Sequence, residues 1–311
     1  MDSRRALILW LGIFLIGCRP ATPPPAQSAQ TQITTVPVIE ATSAPATPVP
    51  EEAKEILNAQ YQLGATDGLQ TVQLTNGKYE QVTPGGTDSV SVSVTDFVAV
   101  GDLNADGTNE VAALVSENYG GTGVFVFLAV YTNENGTLTF QSSTMVDDRP
   151  QMQALSVEAG EIFLDAIIHG ADDPMCCPTL HTRRHYRLAE SNQLDMTDYA
   201  TFTPDGKPRT ITIESPVNGA EVFTSAPIKG KVTIAPFENN LAYRIYDISG
   251  IELSAGPLSV SAASAGGPGT FEAIIPLGST LSGALIRIEV QDLSAADGSL
   301  LAMDSVELVV K

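Results

Sequence analysis

The chain has 311 residues, with 36 Asp and Glu against 16 Lys and Arg and a net charge of −20. An acidic excess of this size repels phosphate backbones and anionic headgroups, which excludes nucleic acid as a partner and electrostatic attachment to a membrane surface. About 260 residues follow the N-terminal region, enough for two folded domains.

Met1–Arg5, MDSRR, is a short positive segment, and Ala6–Gly17, ALILWLGIFLIG, is an apolar run of 12 residues. A helix needs about 20 apolar residues to cross a bilayer core, so this run has the length of a signal-peptide core instead. It ends in LIGC at Leu15–Cys18, which resembles the bacterial lipobox. That resemblance implies a lipoprotein signal over 1–17, a lipidated Cys18 as first residue of the mature chain, and attachment to the membrane through the N-terminal lipid. The protein is then expected to be extracytoplasmic, facing the cell surface or the periplasm. SRRAL at Ser3–Leu7 faintly resembles a twin-arginine signal, but the general secretory route is the expectation. Without residues 1–17, which hold two arginines and one aspartate, the net charge is −21. Arg19–Pro50 holds 8 of the 20 prolines and no glycine or aromatic residue. Such a segment buries too little apolar surface to offset its ordering entropy, so 18–52 reads as a disordered Pro/Thr/Ala-rich tether reaching about 100 Å at full extension.

From residue 53 onward strands dominate. Only EEAKEILNAQ at Glu51–Gln60 has helical periodicity. SVSVSV at Ser89–Val94 alternates with period two, and VFVFLAVY at Val124–Tyr131 reads as a central strand buried on both faces. Asn-Gly pairs in TNGK (75–78) and ENGT (134–137) suit type I′ hairpins, since both residues tolerate positive φ. EIFLDAII at Glu161–Ile168 follows another turn at Ala159-Gly160. Residues 53–203 are therefore expected to form a mainly antiparallel β domain. The turn-rich TPDGKPRT at 203–210 marks the boundary, and short strands at sandwich spacing fill 209–311.

Within that second domain, residues 211–311 resemble the immunoglobulin-like domain of bacterial spore germination, the module often found beside the GerMN domain. IESPVNGAEVFTSAPIKGKV has the Ser-Pro opening, the Gly turn, a second proline and a glycine before the next strand. FENNLAYRIYDISGIEL, GTFEAIIPL and DLSAADGSL supply the later strands and turns; Lys231 stands where a small residue is expected. The resemblance implies a non-catalytic β-sandwich serving interaction or spacing in the envelope. The fold class is thus all-β: an antiparallel β domain followed by an immunoglobulin-like β-sandwich. GDLNADGTNEVA and DDPMCCPT in the first domain resemble segments of an uncharacterised group of secreted bacterial proteins, which brings no activity with it.

Two stretches carry candidate chemistry. In DLNADGTNE, Asp102, Asn104, Asp106 and Glu110 place oxygens at loop positions 1, 3, 5 and 9, Gly107 permits the sharp turn, and Thr108 offers its carbonyl. Ca²⁺ takes six to eight oxygens, and the loop offers about five. Position 12 is Ala113 and the flanks read as strands, so this is no EF-hand; it resembles the calcium loop of FG-GAP repeats in integrin-type propellers. One repeat makes no propeller. The expectation is a structural Ca²⁺ and no catalytic cofactor, with a metal-free Asp-Gly hairpin as the alternative. In PMCCPTLHTRRH, Cys176 and Cys177 are the last thiols of the mature chain, so in an oxidising compartment a vicinal disulfide between them is the expectation, with free or intermolecular thiols and a zinc or copper site as alternatives. As a strand, HTRRHYRL puts His181 and His185 about 13 Å apart, too far for one ion. Arg183, Arg184 and Arg187 form a basic stripe, expected to pair with Asp172 and Asp173 or with the acids of 146–149, or to contact an anionic glycan or wall polymer.

No H-E-x-x-H, G-x-S-x-G, phosphate-binding loop or C-x-x-C occurs. The expected function is a non-enzymatic, lipid-anchored envelope protein that displays β domains to a protein or glycan partner. Two alternatives accompany it: a metal-dependent or redox enzyme built on Cys176, Cys177 and His169, His181 and His185, and a purely structural spacer.

Overall fold

The computed structural model describes residues 48–65, 70–82, 89–134, 136–189, 191–278 and 281–311. The signal segment, Cys18 and the tether as far as residue 47 lie outside the described residues. The helical segment is a 3-10 helix, Glu51–Asn58, which buries Ala53 and Ile56. The first strands are β1 (Gln60–Gln62), β2 (Thr71–Gln73), β3 (Lys78–Val82), β4 (Ser89–Gly101), β5 (Glu110–Asn118), β6 (Phe125–Glu134) and β7 (Thr137–Asp148). They are followed by β8 (Gln151–Glu158), β9 (Glu161–Ile168), β10 (Leu180–Leu188) and β11 (Leu194–Phe202). The C-terminal part holds β12 (Pro208–Arg209), β13 (Ile211–Ser215), β14 (Ala220–Val222), β15 (Ser225–Val232), β16 (Asn240–Asp247), β17 (Glu252–Ala262), β18 (Gly269–Pro276), β19 (Leu285–Leu293) and β20 (Leu300–Val310).

β3 to β7 form an antiparallel meander with β5 at its centre. Both faces of this sheet are covered, which explains the unbroken apolar runs Val111–Val115 of β5 and Phe125–Tyr131 of β6. Val111, Ala113 and Val115 of β5 meet Ile56, Tyr61 and Leu74 on one side. Ala112 and Leu114 meet Ile162, Leu164 and Tyr186 of β9 and β10 on the other. The Asn-Gly turn at Asn76-Gly77 has the expected left-handed backbone, φ 51° and 77°. Its arms diverge, however: a single bridge joins Thr75 to Lys78, β2 pairs with β1, and β3 pairs with β4. The turn therefore redirects the chain between two sheets. Ala159-Gly160, by contrast, closes a true hairpin, with Glu158 opposite Glu161.

The C-terminal strands enclose a separate apolar core. β15 alternates buried and exposed residues along its length, the mark of a strand with one face inward. A Cβ on Gly230 would collide with the Thr212 carbonyl and the Phe271 ring, so this glycine lets its neighbours close in. β17 pairs with β16 through Glu252–Ser259 and with β18 through Val260–Ala262, and so carries the chain from one layer of the sandwich to the other.

The β8–β11 meander continues into this sandwich. β11 pairs with β20 through Asp198–Asp304, Tyr199–Met303 and Ala200–Ala302. Thr201 Oγ1 donates to Leu301 O at 2.7 Å and Ser305 Oγ to Thr197 O at 2.9 Å. Arg209 pairs with the nearly inaccessible Asp292 at 2.7 Å, Arg287 with Asp195 at 3.0 Å, and Arg187 with Glu307.

Two carboxylates standing directly opposite each other are unfavourable when both are charged. Burial first, and then the Asp304 charge, pushes Asp198 up to about 7; burial pushes Asp304 up to about 6 against hydrogen bonds from Ile213 and Ser305 N–H. Both exceed the ordinary aspartate value of about 3.9 of an unfolded chain. The contribution of the pair is thus fully present below about pH 4 and is lost as pH rises through 6 and 7. The thermal midpoint should accordingly fall between pH 5 and pH 8. Asp198→Asn should flatten that fall and raise the midpoint at pH 8 by roughly 2–4 °C, the effect of ~1 kcal/mol in a body of this size. Scanning calorimetry of both proteins checks this; an unchanged slope would show that the pair does not titrate as a unit.

Candidate functional site

The acidic loop joins β4 to β5. Asp102 Oδ2 accepts from Gly107 N, and Asn104 Oδ1 from Asp106 N. Asp106 Oδ1 takes both the N–H and the hydroxyl of Thr108, which lowers its carboxyl below the usual range. The loop closes largely on its own backbone, with Gly107 at φ 86° at its turn. Glu110 differs from its neighbours. It is fully buried, its Oε2 accepts from Leu103 N at 2.8 Å, and its Oε1 has no partner. Asp102 Oδ1 is likewise buried without a partner. Burial pushes the Glu110 carboxyl up, the Leu103 and Asn133 N–H groups oppose this, and the charges on Asp106 and Asp102 push the same way as burial. Among the described residues, no three side chains of His, Cys, Asp or Glu converge as they would around a metal ion.

Cys176 and Cys177 are joined in a disulfide, with Cα atoms 3.8 Å apart. They lie at the exposed tip of the loop between β9 and β10, beside Met175, which is 60% exposed. Asp173 fastens the base of this loop: its carboxylate accepts from Gly170 N, Thr179 N and Thr179 Oγ1, at 2.7–3.0 Å. Below it, Asp147 Oδ2 takes the His169 N–H at 2.6 Å and the ring Nδ1 at 2.8 Å. That bond raises the imidazole pKa, and the Met175 carbonyl adds to the effect.

The other histidines are engaged elsewhere. His181 stacks on Phe202 with ring centres 4.2 Å apart, and His185 packs on Phe163 at 4.3 Å. The Cys/His cluster on which a metal enzyme would rest is therefore not assembled among the described residues.

β10 is the strand that alternation predicts. Thr182, Arg184, Tyr186 and Leu188 face the core, while Arg183 is exposed and His181, His185 and Arg187 are half-buried. This corrects the basic stripe. Arg183 pairs with Asp165 and Arg187 with Glu307, rather than with Asp172, Asp173 or the acids of 146–149. Arg184 lies on the opposite face, buried, donating to Val146 O at 3.2 Å with its guanidinium 5.6 Å from the centre of the Tyr199 ring. The three arginines make no common patch, because neighbours in a strand point to opposite faces.

Two open cavities flank the β11–β20 seam. One, about 450 Å³, lies among Asn104 of the acidic loop, Gly160, Asp195, Asp247 and Arg287. The other, about 480 Å³, has Met145, His169, Arg184, Met196 and Tyr199 in its walls, with Leu300 of β20. Sequence reasoning missed both, since each is closed by residues distant in the chain. It also missed Glu117, which is fully buried and accepts from the hydroxyls of Tyr61 (2.5 Å) and Tyr119 (2.7 Å) and from Gly64 N (2.8 Å). That carboxylate anchors the β1 segment.

A disulfide between neighbours closes almost no loop, so its reduction should lower the thermal midpoint by no more than about 3 °C. Asp173→Ala should open the loop more than reduction does, seen as faster proteinase K cleavage between Gly170 and Thr179. A collapse of global stability on reduction alone would contradict this assignment of the loop's support.

Among curated proteins none is similar to the chain. Residues 210–299 match the family model of the immunoglobulin-like domain of bacterial spore germination, and the C-terminal sandwich is a domain of that type.

Proposed function

We propose that this protein is a lipid-anchored, extracytoplasmic binding protein without catalytic activity. In this reading Cys18 carries the lipid, the Pro-rich tether lifts the folded part from the membrane, and the two β modules present one rigid surface to an envelope protein or glycan. The observation that carries it is the immunoglobulin-like match over 210–299 on a body whose sheets are joined edge to edge. An exposed Cys176–Cys177 disulfide suits an oxidising compartment. The full chain, expressed in a bacterial host, should incorporate radiolabelled palmitate and sediment with membranes, and Cys18→Ala should do neither. Soluble, unlabelled wild-type protein would overturn the anchor. Incubated with isolated wall sacculi, the protein should co-sediment and release no soluble fragment; released sugars or peptides would make it a hydrolase.

We further propose a structural Ca²⁺ in the loop of Asp102, Asn104, Asp106, Thr108 and Glu110. Two buried carboxylate oxygens without partners, on Asp102 and Glu110, support it. A cation would offset the repulsion among three carboxylates in one short loop. Asp106 would exchange its Thr108 hydrogen bonds for the ion. Millimolar Ca²⁺ should then raise the thermal midpoint by about 3–6 °C through linkage, and Asp106→Ala should abolish the rise. An equal response to Mg²⁺, or none to Ca²⁺, counts against the site.

A further inference from the structure

Seven arginines lie among the described residues, and six of them pair with a carboxylate. Arg184, the most deeply buried at 6% exposure, has no such partner. It holds one hydrogen bond to the Val146 carbonyl, lies over the Tyr199 ring, and leaves Nε without a partner. A carbonyl dipole and a ring face compensate a buried charge only in part. This unpaired cation stands in the wall of the cavity of about 480 Å³, within the usual volume of small-ligand sites.

Among the acids nearby, Asp297 itself lines the cavity at its sandwich end, and none is paired with Arg184. Asp147 Oδ2 is taken by the backbone and ring of His169, Asp148 is paired with Arg149, and Asp297 accepts from the N–H and hydroxyl of Ser299 in its own turn. Much of the remaining wall is apolar, with Met145, Ile168, Leu180 and Met196 and with Leu300 contributed by the sandwich, while Thr144 and Ser299 add hydroxyls at its edge. Methionines adapt to varied shapes.

We infer that this cavity is a binding site for a small anionic amphiphile, whose carboxylate or phosphate head meets Arg184 and whose apolar body lies against the two methionines. His169 stands at the same cavity, paired with Asp147, so that it offers no net charge and Arg184 is the group that would draw the head. The site is independent of the anchoring and calcium proposals, and it relocates anion recognition from an exposed stripe to a single buried guanidinium.

Isothermal titration calorimetry of the full chain with octanoate, octyl phosphate, octanol and octylammonium tests this. At least one anion should bind ten or more times more tightly than octanol, and octylammonium should bind weakest. Whichever anion is tighter fixes the head as carboxylate or phosphate. Arg184→Met should remove the preference for anions while octanol still binds; if that protein fails to fold, Arg184→Gln keeps a donor for Val146 and should show the same loss. Met196→Trp should fill the cavity and block every probe with the circular dichroism spectrum unchanged. Octanol binding as tightly as the anions, an undiminished preference in the Arg184 variants, binding that survives Met196→Trp, or no binding of any probe would overturn the proposal.

Discussion

The β11–β20 pairing is the constraint on which the other features depend. It spans three residue pairs, two of them built from Tyr199, Met303, Ala200 and Ala302, all buried. This short ladder fuses a four-stranded meander to one layer of the sandwich, so two separate cores share one sheet. Both cavities draw walls from the two sides of that seam. A flexible linker in its place would leave neither with a defined shape. The third pair, Asp198 with Asp304, works against the ladder whenever both carboxylates are charged, and side-chain bonds at Thr201, Ser305, Arg187, Arg209 and Arg287 hold the strands together around it.

The placement of the few basic residues follows the same logic. Three of the seam contacts are arginine–carboxylate pairs, where a planar fork that keeps its charge when desolvated is effective. The lysine pairs lie in the open: Lys229–Glu272, Lys231–Glu214 and Lys207–Asp205 all have half or more of each side chain exposed. Such pairs contribute little to stability. Three of the seven arginines among the described residues thus stand at the joint between the modules. Against that economy the position of Arg184, inside the protein and without a carboxylate partner, is the exception.

What could be read in advance was local. Period-two alternation found β4 and β10, unbroken apolarity found β6, and turns occur as expected at Asn76-Gly77 and Ala159-Gly160, while Asn135 of ENGT lies outside the described residues. The failures were matters of pairing. TNGK has the conformation of a hairpin turn, yet its flanking strands leave for different sheets, and nothing within four residues reveals that. Arg183 and Arg184 are neighbours in the chain but belong to different faces; the alternation that separates them was visible in HTRRHYRL, and adjacency obscured it. The partners that give each arginine its role, Asp165, Glu307 and the Val146 carbonyl, lie 18 to 120 residues away. The seam was not foreseen, because TPDGKPRT reads as a boundary whether or not the strands beyond it return to β11.

The distribution of unsatisfied groups separates scaffold from site. Among the described residues, buried side-chain atoms without a hydrogen-bond partner occur on Asp102, Glu110, Tyr131, Ser142, His169, His181 and Arg184 of the first module, and on Arg287 and Asp292. The last two belong to the sandwich; Arg287 pairs across the seam with Asp195, and Asp292 pairs with Arg209 of β12. The apolar core of the sandwich contains none of these residues. Leaving a buried polar atom unpaired costs about 1–3 kcal/mol, and proteins tend to depart from self-consistency where a ligand or ion completes the arrangement. The sandwich thus holds fewer of these groups, and both of its own residues of this kind stand beside the joint. The groups that still need a partner, the acidic loop and the Arg184–His169 cavity, lie in the first module and along the joint that the sandwich stiffens, and recognition should be sought there.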